Sequence, residues 1–120
     1  MAGQVVEATK DTFRDLVAAP LVLVDLWGPS CQQCLTLMPA VEQLASSRPE
    51  LAVVKLEAPK ARRLCIELKV MGLPAFLLFR DGEEVARLAA PDLDAATLER
   101  WLDETLDGLR AEEGGEEEPC

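Results

Sequence analysis

The 120-residue chain has no histidine and no tyrosine, and aromatic residues make up only 4% of it. Without His, the commonest general base and metal ligand is missing, so chemistry falls to Cys, Asp, Glu, Lys, Ser or Thr. Basic residues are sparse too: 12 Lys and Arg stand against 22 Asp and Glu, a formal net charge of −10. Nucleic-acid phosphates and anionic lipids are bound through basic patches, so this balance argues against nucleic acid and membrane as partners. Long apolar runs are also lacking. The longest, Leu16 to Trp27, is interrupted by Pro20 and Asp25 and is too short to cross a bilayer. The opening residues, Met-Ala-Gly-Gln-Val-Val-Glu, carry neither the basic start nor the apolar core of a secretory signal. Together these features predict a cytoplasmic protein, and nothing in them demands more than a monomer.

Apolar residues nevertheless reach 49%, enough for one buried core. The length allows a single domain and hardly two. Residues 111–120 hold five Glu, no Lys or Arg, and no aliphatic side chain larger than Ala. Burial there cannot offset the entropy of ordering, so a domain over 1–110 and a disordered acidic tail over 111–120 are expected.

Within 1–110, short apolar runs alternate with helical periodicity. Residues 4–7 read as an edge strand, and Thr9 as the cap of a helix over about 10–18 bearing Phe13, Leu16 and Val17. Leu21 to Trp27 reads as a strand buried on both faces. Cys34, Leu37, Val41 and Leu44 recur at helical spacing and predict a helix over about 31–47, interrupted by Pro39. Leu51 to Leu56 reads as a strand, and 59–69 as a helix begun by Pro59. Pro74 to Phe79 and Glu83 to Leu88 form a hairpin through Arg80-Asp81-Gly82, before a final helix capped by Asp92. The order β-α-β-α-β-α-β-β-α implies an α/β fold, a mixed sheet with helices on both faces.

Cys31-Gln32-Gln33-Cys34 directly follows the buried strand and opens a helix. Free backbone N–H groups and the helix dipole favour a thiolate there, lowering a thiol pKa of roughly 8.5 into the range of about 3.5 to 7.5. Cys34 lies one turn further in, close enough to close a disulfide. The arrangement suits dithiol exchange, in which Cys31 attacks and Cys34 resolves. The same spacing is half of a zinc knuckle. Zinc wants four Cys or His ligands, however, and Cys65 alone on a helix and Cys120 at the chain's end do not supply the rest, so no metal is expected. Cys65, on the inner helix face, reads as a small buried hydrophobe.

The stretch Val24-Asp25-Leu26-Trp27-Gly28-Pro29-Ser30-Cys31-Gln32-Gln33-Cys34, with Pro39 beyond it, resembles the active-site region of the thioredoxin family. Val70-Met71-Gly72-Leu73-Pro74 and Ala75 to Glu83 resemble that family's cis-proline strand and hairpin. The resemblance spans residues 4–110 and implies a thioredoxin fold and a protein-disulfide reductase cycling Cys31 and Cys34 between dithiol and disulfide. It further implies Cys31 as nucleophile, Cys34 as resolving thiol, Asp25 as proton acceptor and Lys55 as modulator of its charge. Trp27, Ser30, Gln32, Gln33, Gly72, Leu73, the cis-proline Pro74, Ala89 and Ala90 would line the substrate groove. No bound cofactor is implied; electrons would come from a thioredoxin-reductase-like flavoenzyme, and the partners would be that reductase and protein disulfides.

Three departures bear on partner choice. The family usually reads Trp-Cys-Gly-Pro-Cys, against Ser30-Cys31-Gln32-Gln33-Cys34 here. Ser30 removes an aromatic wall, and Ala89-Ala90 stands where a groove-lining Gly is usual. Two other readings stay open: an oxidant or isomerase of higher potential, and a binding module whose thiols are incidental.

Overall fold

A computed structural model of the chain describes residues 3–115. Strands β1 (Val5–Ala8), β2 (Leu21–Trp27), β3 (Ala52–Glu57), β4 (Ala75–Arg80) and β5 (Glu83–Ala89) form one sheet in the order β1-β3-β2-β4-β5. β1, β3 and β2 run parallel to one another, whereas β4 is antiparallel to both β2 and β5. Helices α1 (Phe13–Leu16), α2 (Gln32–Ser47), α3 (Arg62–Glu67) and α4 (Ala95–Gly115) cover the two faces.

Alternation along β2 assigns the faces. Val22, Val24 and Leu26 join Phe13, Val17, Leu64, Cys65 and Leu68 in one core, under α1 and α3. Leu23 joins Leu37, Val41, Phe76, Leu98 and Leu102 in the other, under α2 and α4. Because β2 is central and covered on both sides, its sequence is a continuous apolar run, broken only by Asp25. By the same alternation Asp25 stands on the side of α2.

Helix α1 is far too short to hold itself together and depends on its packing. Phe13 is completely buried and meets Phe79 edge to face, with ring centroids 5.8 Å apart. Phe13→Ala is expected to cost about 3–5 kcal/mol of stability by urea unfolding. Arg14→Ala, which loses an exposed pair to Glu67 and a cation–π contact at 5.5 Å from the Phe13 ring centroid, should cost no more than about 2 kcal/mol.

Element boundaries depart from expectation in four places. Thr9 does not cap a helix over 10–18. Its Oγ1 accepts hydrogen bonds from the amides of Asp11 and Thr12 at 3.2 Å each, and this local side-chain turn displaces the helix start to Phe13. The helix predicted over 59–69 is two pieces, a 3₁₀ turn at Ala58–Lys60 and then α3, because buried Ala61 leaves helical space (φ −140°) to reach the core. The final helix is capped by Asp94, not Asp92. Asp94 Oδ1 accepts from the Thr97 amide at 2.9 Å, a bond that holds the carboxyl below its ordinary pKa. Helix α4 runs through Gly115, so residues 111–115 of the expected tail are helical, as the strong helix propensity of Ala and Glu favours. Glu112 pairs with Arg80 at 3.7 Å. Residues 116–120, Cys120 included, lie outside the described residues.

Candidate active site

The site is assembled where β2 ends. Gly28, Pro29 and Ser30 carry the chain from Trp27 to Cys31, whose amide donates to the Gly28 carbonyl at 3.0 Å. Gly28 is favoured by close approach: a Cβ there would stand 3.3 Å from Leu73 Cδ1 and 3.5 Å from Pro59 Cδ, and the Leu73 side chain would have to give way. The Leu73–Pro74 peptide bond is cis. Leu73 thus joins the end of β2 to the start of β4.

Cys31 is the N-cap of α2, with φ −92° and ψ 97°, and its Sγ accepts from the Cys34 amide at 3.1 Å. The sulfur therefore takes the place of the Ser or Asp oxygen that ordinarily satisfies a free amide of the first turn. Cys31 and Cys34 form a disulfide across a Cα–Cα distance of 5.2 Å. Their exposures differ: Cys31 is half-buried, whereas Cys34 is 1% exposed.

Asp25 lies opposite Lys55 on β3 and Phe76 on β4. It is 1% exposed, and its Oδ2 is buried with no hydrogen-bond partner. Burial pushes its pKa from 3.8 up to about 7, with the Lys55 charge opposing the rise. The Lys55 ammonium is shared among three neighbours, lying 5.5 Å from the Trp27 ring centroid and 4.0 Å from Glu7 Oε1. Trp27 Nε1 is buried and also lacks a partner.

The remaining expected groove residues converge on the same pole. Ser30, Gln32 and Gly72 are exposed, Gln33 and Leu73 half-buried, and Pro74 buried. Ala89 lies opposite Ala75, so Ala89 and Ala90 flank the start of β4. One contact escaped the sequence reading: Gln33 Nε2 donates to the carbonyl of Leu93, in the loop between β5 and α4. A polar side chain bonding sixty positions away leaves no local signal. Cys65 lies in the core under α1 and α3, its thiol pKa pushed up by burial. Among the described residues, no group of three or more His, Cys, Asp or Glu could hold a metal ion, and no helix is long and apolar enough to cross a membrane.

A cysteine at a helix N-cap, disulfide-linked to a sheltered cysteine one turn on, above a sheet of this order, defines a thiol-disulfide oxidoreductase. The sequence matches the family profile described as Thioredoxin over residues 4–104. It is 38% identical over 99 residues to a thioredoxin of Acetoanaerobium sticklandii, covering 80% of this chain and 94% of that one. It is 33% identical over 100 residues to the bifunctional thioredoxin reductase/thioredoxin of Mycobacterium leprae, covering 81% of this chain and 22% of that protein. Among solved structures, a mutant thioredoxin of Halobacterium salinarum superposes with a TM-score of 0.75 at 26% identity, covering 85% of this chain and 90% of the other. The chain belongs to the thioredoxin family, has the thioredoxin fold, and is a protein-disulfide oxidoreductase.

Proposed function

We propose that the chain works in the reducing direction, passing two electrons from Cys31 and Cys34 to disulfides of client proteins. The observation that carries this reading is the pairing of a half-exposed N-cap sulfur with a sheltered one on the side of Asp25. The Cys31 thiolate attacks one sulfur of the client disulfide, forming a Cys31–client bond and expelling the other client sulfur as thiolate, which takes a proton from water. Asp25 accepts the Cys34 proton. The Cys34 thiolate then attacks Cys31 Sγ, closing the Cys31–Cys34 disulfide and releasing the second client thiolate. A carboxyl with a pKa of about 7 is poised for that proton at neutral pH. Lys55 tunes the Asp25 charge, and the edges of Leu73, Pro74, Ala89 and Ala90 receive an extended client segment beside Trp27, Ser30, Gln32, Gln33 and Gly72.

A flavoenzyme of the thioredoxin-reductase kind restores two electrons and two protons. The Mycobacterium leprae relative, whose name couples both activities in one chain, supports that partner. We place the cycle in the cytoplasm, a compartment that keeps thiols such as unpaired Cys65 reduced, with the chain acting as a monomer.

The test is the equilibrium reduction potential of the Cys31/Cys34 pair in a defined thiol buffer. A value near about −270 mV is expected of a general reductant. A value of about −200 mV or higher would reverse the direction, making the chain an oxidant or isomerase.

A further inference from the structure

Next to the segment before Pro74 lies a groove of about 400 Å³, lined by Pro59, Arg62, Cys65, Ile66, Met71 and Leu73. It is continuous with the active site through Leu73, which touches Gly28 and precedes cis-Pro74. Its rim is apolar to an unusual degree: Ile66 is 75% exposed and Met71 95%. Two bulky apolar side chains this open, next to a reactive site, suit contact with another molecule.

The charge around this groove is opposite to that of the chain. Residues 55–71 hold five basic and two acidic side chains, while all other positions hold seven basic and twenty acidic ones. Arg14, Arg48, Arg87 and Arg110 elsewhere in the chain pair with carboxylates, as Lys55 and Lys60 do within this stretch. Arg62 and Arg63 have no hydrogen-bond or ion-pair partner among the described residues, despite the excess of acid. Both are exposed, and with Lys10 and Lys60 they line the surface next to the groove, where Asp11 and Glu67 also stand, Glu67 being paired with Arg14 and Lys60 with Glu57.

Resting on the reducing role given above, we propose that this groove and its arginine rim dock an acidic client segment. A bulky apolar residue next to the client disulfide would sit against Ile66 and Met71, and the carboxylates following it would pair with Arg62 and Arg63. Net charge does not oppose this. The Debye length is about 8 Å at physiological salt, so the local arginines outweigh acidic groups on the far side of the molecule. A client carrying lysines at the same place would be drawn by the net charge yet meet like charge at the site.

The test uses the whole chain, dithiothreitol as electron source, and three disulfide-bonded peptides that are identical except beside one cysteine. There each carries a leucine followed by three glutamates, three serines or three lysines. At physiological ionic strength, kcat/KM for the glutamate peptide should exceed that for the lysine peptide by at least about tenfold, and the ratio should fall towards one as salt rises to about 1 M. The Arg62→Glu/Arg63→Glu double variant should invert the ratio, and Ile66→Ser should lower kcat/KM several-fold for all three peptides. Equal rates for the two charged peptides, or a ratio the double variant leaves unchanged, would overturn the docking proposal. Failure to reduce even the serine peptide would strike the reducing role instead. Sedimentation showing a dimer that the double variant dissociates would give the groove to a second copy's acidic end, and the client proposal would fall.

Discussion

Cys31→Ser is expected to lower protein-disulfide reduction to below about one part in a thousand of wild type, since loss of a nucleophile removes the covalent step altogether. Serine keeps the N-cap hydrogen bond to the Cys34 amide, so fold and helix start should be preserved and the loss is chemical. Cys34 cannot take over the attack, because at 1% exposure no client sulfur can reach it in line. Cys34→Ser should behave differently. Cys31 still attacks, but no thiolate resolves the product, and the variant should accumulate as a one-to-one mixed disulfide with an insulin chain. Mass spectrometry would detect the adduct, and dithiothreitol should release it. Turnover surviving in Cys31→Ser, or the absence of any adduct in Cys34→Ser, would exchange or dissolve the two roles. A client complex that persists in Cys31→Ser with unchanged affinity and unchanged physiological function would favour the binding-module reading.

The second large effect concerns stability and pH. In the unfolded chain Asp25 ionises at the ordinary value of 3.8, whereas in the oxidised fold it keeps its proton to about 7. Between those values the native state binds more protons than the unfolded state, so stability falls as pH rises. Below about pH 4 the contribution is zero. Above about pH 7 the penalty is complete, and three pKa units at 1.36 kcal/mol each give about 4 kcal/mol. Asp25→Asn removes the titration but leaves a buried amide, a cost of about 1–3 kcal/mol that does not vary with pH. The stability difference between variant and wild type should therefore swing by about 4 kcal/mol in favour of the variant between pH 4 and pH 8. Urea unfolding of both oxidised proteins across that range measures it, and all other titrating groups cancel. A flat difference would mean that Asp25 ionises normally within the fold. The variant should also turn over more slowly near neutral pH, through loss of the Cys34 proton acceptor. Equal rates at every pH would remove Asp25 from the mechanism while leaving the stability argument intact.

The features legible in the sequence were those set by short-range chemistry. The apolar run Leu21–Trp27 could only be a strand covered on both faces, and the Cys-x-x-Cys after it had to open a helix. Asp81-Gly82 could adopt positive φ (54° and 87°), and so marked the hairpin. Decisions made by tertiary packing were not legible. Asp92 and Asp94 are equally good caps in isolation. Leu93, 2% exposed in the core under α4, must point inward, and this moves the helix start beyond it to Ala95. Ala61 likewise ends the 3₁₀ turn because it is needed in the core. The Gln33–Leu93 hydrogen bond and the groove at Ile66 arise between segments far apart in sequence, where neither composition nor periodicity carries a trace. Within α3, the inward turn of Cys65 was legible from helical spacing, whereas the groove beside its outward neighbour Ile66 was not.

The division of the interior into two cores has a consequence for sulfur traffic. Cys65 belongs to the core under α1 and α3, while the redox pair sits at the head of α2, the helix that covers the other face. A disulfide needs Cβ atoms within about 4.5 Å of each other, a distance no pairing across an intact sheet can meet. The sheet is thus a bulkhead. It separates the helix that carries the redox pair from the core that holds the spare thiol, and Cys65, only 8% exposed where it lines the docking groove, leaves Cys34 as the near thiol for a mixed disulfide at Cys31.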